Sequence, residues 1–148
     1  MTFPSLDLEK ELLKSFDAVI GIDEVGRGAL AGPVGVGAFL FTPDLLDSLP
    51  PSIRDSKLIA EKKRAEVAEV VMAWGECGVG LCPVRTIEEK GISFALRTAA
   101  LQAIENLKTQ NAVVLLDGSH NWLGEIGMKV VVQTKADRDC GSVAAASV

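Results

Sequence analysis

Apolar positions along this chain follow two periods, broken by glycine, proline and charge. Leu8, Leu12, Leu13 and Phe16 share one face of a short helix, with Ser5 placed as its cap. Residues 18–22 are a short β-branched run and read as a buried strand. Residues 32–41, rich in Val, Ala and Phe with Pro33 near the start, read as a second strand joined to the first in a hairpin. A loop marked by Pro43, Pro50 and Pro51 follows. It leads to a helix ending near Trp74, in which Val67, Val70, Val71 and Trp74 fall at i, i+3, i+4 and i+7.

Residues 75–84 read as a third strand. Thr86 and Glu89 form a capping box for a helix running to about Lys108. Its apolar face is expected to be Phe94, Leu96, Ala100, Leu101, Ala103, Ile104 and Leu107, with Gly91 a weak point in the first turns. Ala112-Val113-Val114-Leu115-Leu116 is continuously apolar, as expected of a strand covered on both faces, and ends in Asp117-Gly118. Residues 129–133 read as the last strand. The order strand, strand, helix, strand, helix, strand, strand predicts an α/β fold with a mixed, five-stranded sheet: an antiparallel meander, then two strands joined through helices.

A length of 148 residues and 48% hydrophobic content suit one domain with a sizeable core. No apolar run approaches a membrane span, and the acidic N-terminus (Asp7, Glu9, Glu11) is unlike a signal peptide, so a cytoplasmic enzyme or binding domain is expected; a monomer is expected as well. The net charge of −5 argues by itself against a polyanion ligand, although a local basic patch beside an acidic site can overcome it. Cys77, Cys82 and Cys140 lack metal-ligand spacing and read as free thiols.

The chemistry concentrates where the first strand ends. Asp23 and Glu24 are adjacent carboxylates followed at once by the turn Gly26-Arg27-Gly28. Carboxylates beside an amide-rich turn suit a divalent cation next to a phosphate. Neighbours in a strand point to opposite faces, so for both to serve one site the chain must turn or bulge near Glu24. Asp117 can join them if the first and fourth strands are neighbours; taken alone, an aspartate ending a buried strand is as often a turn residue. Three carboxylates gathered together call for a cation, and hard oxygen donors favour Mg²⁺ or Mn²⁺. Two such ions can activate a water and stabilise a leaving oxygen in phosphodiester hydrolysis.

The segment Gly21-Ile22-Asp23-Glu24, with Gly26-Arg27-Gly28 and Leu30-Ala31-Gly32-Pro33-Val34, resembles the first motif of ribonuclease HII, the type 2 ribonuclease H. The segments Asp55-Ser56-Lys57, Asp117-Gly118 and Lys135-Ala136-Asp137 resemble later segments of that family in order and context, with Ala136 where a glycine is usual. The resemblance implies a ribonuclease H-like sheet with the first and fourth strands side by side. It implies metal-ligand and catalytic roles for Asp23, Glu24 and Asp117, and a substrate-reading turn at Gly26, Arg27 and Gly28 that recognises the ribose 2′-hydroxyl. It places Ser56 and Lys57 on substrate phosphates and gives His120 no role. The substrate it implies is the RNA strand of an RNA–DNA hybrid, or ribonucleotides embedded in duplex DNA, cut to 5′-phosphate and 3′-hydroxyl ends with Mn²⁺ or Mg²⁺. A fourth carboxylate and a C-terminal helical part would follow Val148 in the family pattern, so truncation is expected.

Two other readings stand beside this one. One is a catalytically impaired fragment that only binds hybrid duplex. The other is a nucleotide-cofactor module, from Gly26, Gly28 and Gly32 after a strand; Pro33 and a strand follow where that motif needs a helix, and Asp23-Glu24 would repel a pyrophosphate.

Overall fold

The computed structural model describes residues 6–25, 34–45, 63–82, 88–105, 107, 111–117, 121, 123 and 128–133. The strands are β1 (Ala18–Val25), β2 (Val34–Phe41), β3 (Glu76–Cys82), β4 (Ala112–Asp117) and β5 (Lys129–Gln133). The helices are α1 (Asp7–Leu12), α2 (Arg64–Trp74) and α3 (Ile92–Glu105), with a 3-10 turn at Pro43–Leu45.

One five-stranded sheet has the order β3-β2-β1-β4-β5. The β1–β2 and β2–β3 pairs are antiparallel, and β4 pairs in parallel with both β1 and β5. The meander and the two further strands are as expected, but only β4 follows a helix; among the described residues no helix lies between β4 and β5. A parallel partner demands a crossover, and α3 supplies the one from β3 to β4. The Asp17 amide donates to the Asn111 carbonyl at 2.9 Å, which ties the starts of β1 and β4 together.

Each sheet face has its own core. On one face Ile20, Ile22, Val36, Ala38, Val114 and Leu116 pack against Ala95, Leu96, Ala99, Ala100 and Ala103 of α3. On the other, Val19, Phe39, Phe41, Val113 and Leu115 pack against Leu6, Val67 and Val71, joined by Leu12 and Trp74. The Trp74 ring stacks on Phe39 with centroids 4.8 Å apart. Val113 to Leu116 are fully buried, as a strand covered on both faces requires.

Several local expectations are corrected. Val70 is 37% exposed, so the α2 stripe narrows to Val67, Val71 and Trp74. Phe94 is 46% exposed, while Ala95 and Ala99 are fully buried. Helix α3 therefore presents its alanines to the sheet. The reason lies on β3: a Cβ on Gly78 or Gly80 would collide with the backbone carbonyl of Ala103 or Ala99. Only small residues allow so close an approach of helix to strand. The helix is also not continuous from the capping box. Residues 88–90 are helical, Gly91 interrupts at φ 91°, and α3 begins afterwards and ends at Glu105. Gly91 thus acts as a break, a conformation that costs an L side chain far more. Leu6 occupies the α1 cap position without a side-chain cap bond. Ser5, Thr86, His120, Cys140 and the segment 134–148 lie outside the described residues. Cys77 and Cys82 are free thiols. Among the described residues no helix is long and apolar enough to cross a membrane.

Candidate active site

Strand β1 carries the candidate residues Asp23 and Glu24 because it runs three residues beyond its apolar stretch. Its ladder with β2 continues without a bulge through Asp23–Gly37, Glu24–Val36 and Val25–Gly35. Pairing with the neighbouring strand, rather than side-chain hydrophobicity, sets where β1 ends. The expected turn or bulge near Glu24 is therefore not where the chain changes direction; it stays extended through Val25. By strand alternation, position 23 falls on the α1/α2 face and position 24 on the α3 face, in line with buried Val36.

The parallel pairing of β1 with β4 places Ile22 opposite Leu116. The next residues along both strands are Asp23 and Asp117, so the two aspartate positions are neighbours, one strand spacing of about 4.8 Å apart. They also share the α1/α2 face, since Ile22 and Leu116 both point into the core under α3. A single row crosses the sheet through Val79, Gly37, Asp23, position 117 and Gln133. The helices of this face pack over the preceding rows, around Val19, Phe39 and Leu115, and the aspartate row is the next one out. It lies at the carboxyl ends of a parallel pair, where open α/β sheets present ligand sites.

Asp23 is half-buried. Glu24 and Asp117 are placed here by their backbones, and their side chains lie outside the described residues, as do Gly26, Arg27, Gly28, Ser56 and Lys57 entirely. Among the described residues no group of three or more His, Cys, Asp or Glu side chains is assembled. Like charges on neighbouring strand positions repel, a cost a bound cation removes. The neighbouring row positions, Gly37 and Gln133, offer neither thiolate nor imidazole, so the donor set suits a hard divalent ion.

Periodicity did not reveal two features. Gly37 leaves the position beside Asp23 without a side chain; the alternation Val34-Gly35-Val36-Gly37 was its signal, since glycine inside a strand often marks a close approach. The second is a hydrogen bond from α3 to Leu123, where Arg97 Nε donates to the Leu123 carbonyl at 2.7 Å. No sequence pattern announces it.

A family model described as Ribonuclease HII matches residues 20–148. A ribonuclease HII of Streptomyces griseus subsp. griseus is 40% identical over 148 residues, covering 98% of this chain and 61% of that protein. The chain spans about three fifths of the length of the curated relatives it matches. Among solved structures, the ribonuclease H2 from Pyrococcus horikoshii OT3 superposes with a TM-score of 0.70 at 20% identity, over 88% of this chain and 68% of that one. Bst-RNase HIII in complex with Mn²⁺ superposes with a TM-score of 0.69 at 18% identity, over 92% of this chain and 51% of that one. The two structures share the fold, and the sequence matches supply the lineage: the chain belongs to the ribonuclease HII family.

Proposed function

We propose that this chain carries the carboxylate site and the ribose-reading turn of a metal-dependent endonuclease. Its substrate is the RNA strand of RNA–DNA hybrids and ribonucleotides embedded in duplex DNA. The observation that carries this reading is the register that makes Asp23 and Asp117 neighbours at the carboxyl ends of β1 and β4. Mn²⁺ in a structure of the same fold supports a divalent ion, and carboxylate oxygens suit Mn²⁺ or Mg²⁺ equally.

In this reading Asp23 and Asp117, on one sheet face, hold the cation; Glu24 is the third carboxylate that the family resemblance implies, at a position that alternates to the other face. When bound, the ion supplies an activated water and neutralises charge building on the phosphodiester. The backbone amides of Gly26, Arg27 and Gly28 read the 2′-hydroxyl, the group that separates RNA from DNA. Ser56 and Lys57 take phosphates of the substrate backbone, contacts that position the duplex without reading sequence. Hydrolysis leaves a 5′-phosphate and a 3′-hydroxyl.

The test is cleavage by purified residues 1–148 of a duplex containing one ribonucleotide, with and without Mn²⁺. Cleavage that needs the metal and is lost in Asp23→Asn is the expected result. Metal-independent cleavage, or full activity in Asp23→Asn, would overturn the mechanism. Tight binding without any cleavage would favour the hybrid-binding reading instead.

A further inference from the structure

We propose that Val79 and Leu81 of β3 form an apolar shelf for sugars of the strand opposite the ribonucleotide, favouring deoxyribose there; the inference rests on the duplex-cleaving reading of the Asp23–Asp117 site. Val79 is 57% exposed and Leu81 is 56% exposed. Burial alternates along β3, with Gly78, Gly80 and Cys82 turned toward α3. Val79 and Leu81 therefore share the other face. Val79 pairs with Gly37, and Gly37 pairs with Asp23. Directly paired residues point to the same side of a sheet, so the two apolar side chains lie on the face of the aspartates. Two strand spacings, roughly 10 Å, separate the positions of Val79 and Asp23. Leu81 lies in the next row out, in line with Gly35 and Val25. The β2 residues of both rows are glycines, so no β2 side chain rises between the shelf and β1.

The shelf has a firm backing. On its reverse side Gly78 and Gly80 lie directly against the backbone of α3 at Ala103 and Ala99. The Leu81 amide donates to Gln102 Oε1 at 3.2 Å, which ties the end of β3 to the same helix. Strand β3, Glu76–Cys82, contains no Lys or Arg, so it offers a phosphate no cation. What it offers is hydrocarbon. A turn that reads a 2′-hydroxyl approaches through the minor groove, where A-form duplexes display that group. The opposite strand then lies across the groove, about 6 Å away in B-form duplex and further in the wider A-form groove. The spacing from Asp23 to Val79 is of that size. At a sugar resting there the choice is between a C2′ methylene and a C2′ hydroxyl. The methylene loses nothing against Val79 and Leu81. The hydroxyl gives up water and gains no partner.

The test is fluorescence anisotropy of residues 1–148 with Mn²⁺ and a duplex holding one ribonucleotide, the label sitting on the opposite strand. In a second set of duplexes the opposite strand carries one ribonucleotide of its own, moved one position at a time. Binding should weaken about tenfold where that ribonucleotide meets the shelf, a modest rejection of an added hydroxyl by an apolar contact. The penalty should be confined to a few adjacent positions. Val79→Thr combined with Leu81→Gln keeps the bulk and supplies partners for a hydroxyl. It should erase the penalty and leave binding to the all-deoxy opposite strand nearly unchanged. A penalty absent from the parent chain, or equally large in the double variant, refutes the proposal. So does a parent chain that sediments as a dimer when the variant sediments as a monomer, which would assign this face to a second copy. If the double variant does not fold, Val79→Thr alone decides by the same comparison. A parent chain that binds no duplex at all removes the reading on which the shelf rests, a result distinct from binding without the penalty.

Discussion

Ile22 lies opposite Leu116 in the parallel ladder of β1 and β4, and that register makes Asp23 and Asp117 neighbours on one sheet face. A slip of one residue would send one of the two aspartates to the α3 face, because side chains alternate along a strand. If the pair holds a cation, Asp23→Asn and Asp117→Asn should each weaken Mn²⁺ binding by on the order of 10²-fold, at least the effect of losing an outer-shell partner. The folded state should survive, since asparagine keeps the shape. Calorimetric titration with Mn²⁺ beside a thermal melt checks both.

The turn after β1 offers a separate test. Gly28→Val should weaken cleavage at a ribonucleotide junction more than it weakens overall duplex binding. A β-branched side chain would block backbone approach to the ribose and leave phosphate contacts such as Lys57 in place. Cleavage assays paired with anisotropy titrations separate the two; equal losses would make the turn structural.

Gly80→Ala should destabilise the fold by about 1–3 kcal/mol, the usual cost of forcing extra volume into a packed core. The added methyl would meet the Ala99 carbonyl, which belongs to a helix backbone and cannot step aside as a side-chain tip can. Gly91→Ala meets no neighbouring atom and is strained instead by its φ of 91°. Urea denaturation of both variants distinguishes collision from backbone strain: the first should disturb packing around α3, the second only the helix start.

Cys77 provides a pH prediction. Burial, reinforced by the Glu76 carboxylate, pushes its thiol above the ordinary range. The folded-state value therefore exceeds the unfolded one. Stability from the neutral thiol is fully present below the unfolded value and is lost as pH rises through the folded value. Urea midpoints should decline on the alkaline side, above the ordinary cysteine value of about 8.5, and Cys77→Val should flatten that limb. Alkylation of Cys77 at pH 8 should be slower than that of a free thiol.

Much of this architecture is legible in the sequence for a local reason. A strand covered on both faces must be continuously apolar, which marked β4, and a glycine in a helical run costs stability, which marked the break at Gly91. The motif around Asp23 and Glu24 is contiguous, so a single stretch of chain could announce it. The helix faces were less legible. Phe94 looked like core by hydrophobicity, yet the groove left by Gly78 and Gly80 admits Ala99 and Ala103 and turns Phe94 outward.

The sequence by itself determined which segments are strands and helices, and which residues could do chemistry, because periodicity, glycine and charge act over a few neighbours. Tertiary structure alone decided which of those residues meet. Asp23 and Asp117 are far apart in the chain, and only the parallel pairing of β1 with β4 makes them adjacent. The unbroken ladder to β2 carries β1 past Glu24, against the turn that two adjacent carboxylates suggested. The Arg97–Leu123 hydrogen bond joins a helix to a distant loop through a backbone carbonyl, a group every residue possesses. Such a partner leaves no mark in the sequence, and only the fold brings the two together.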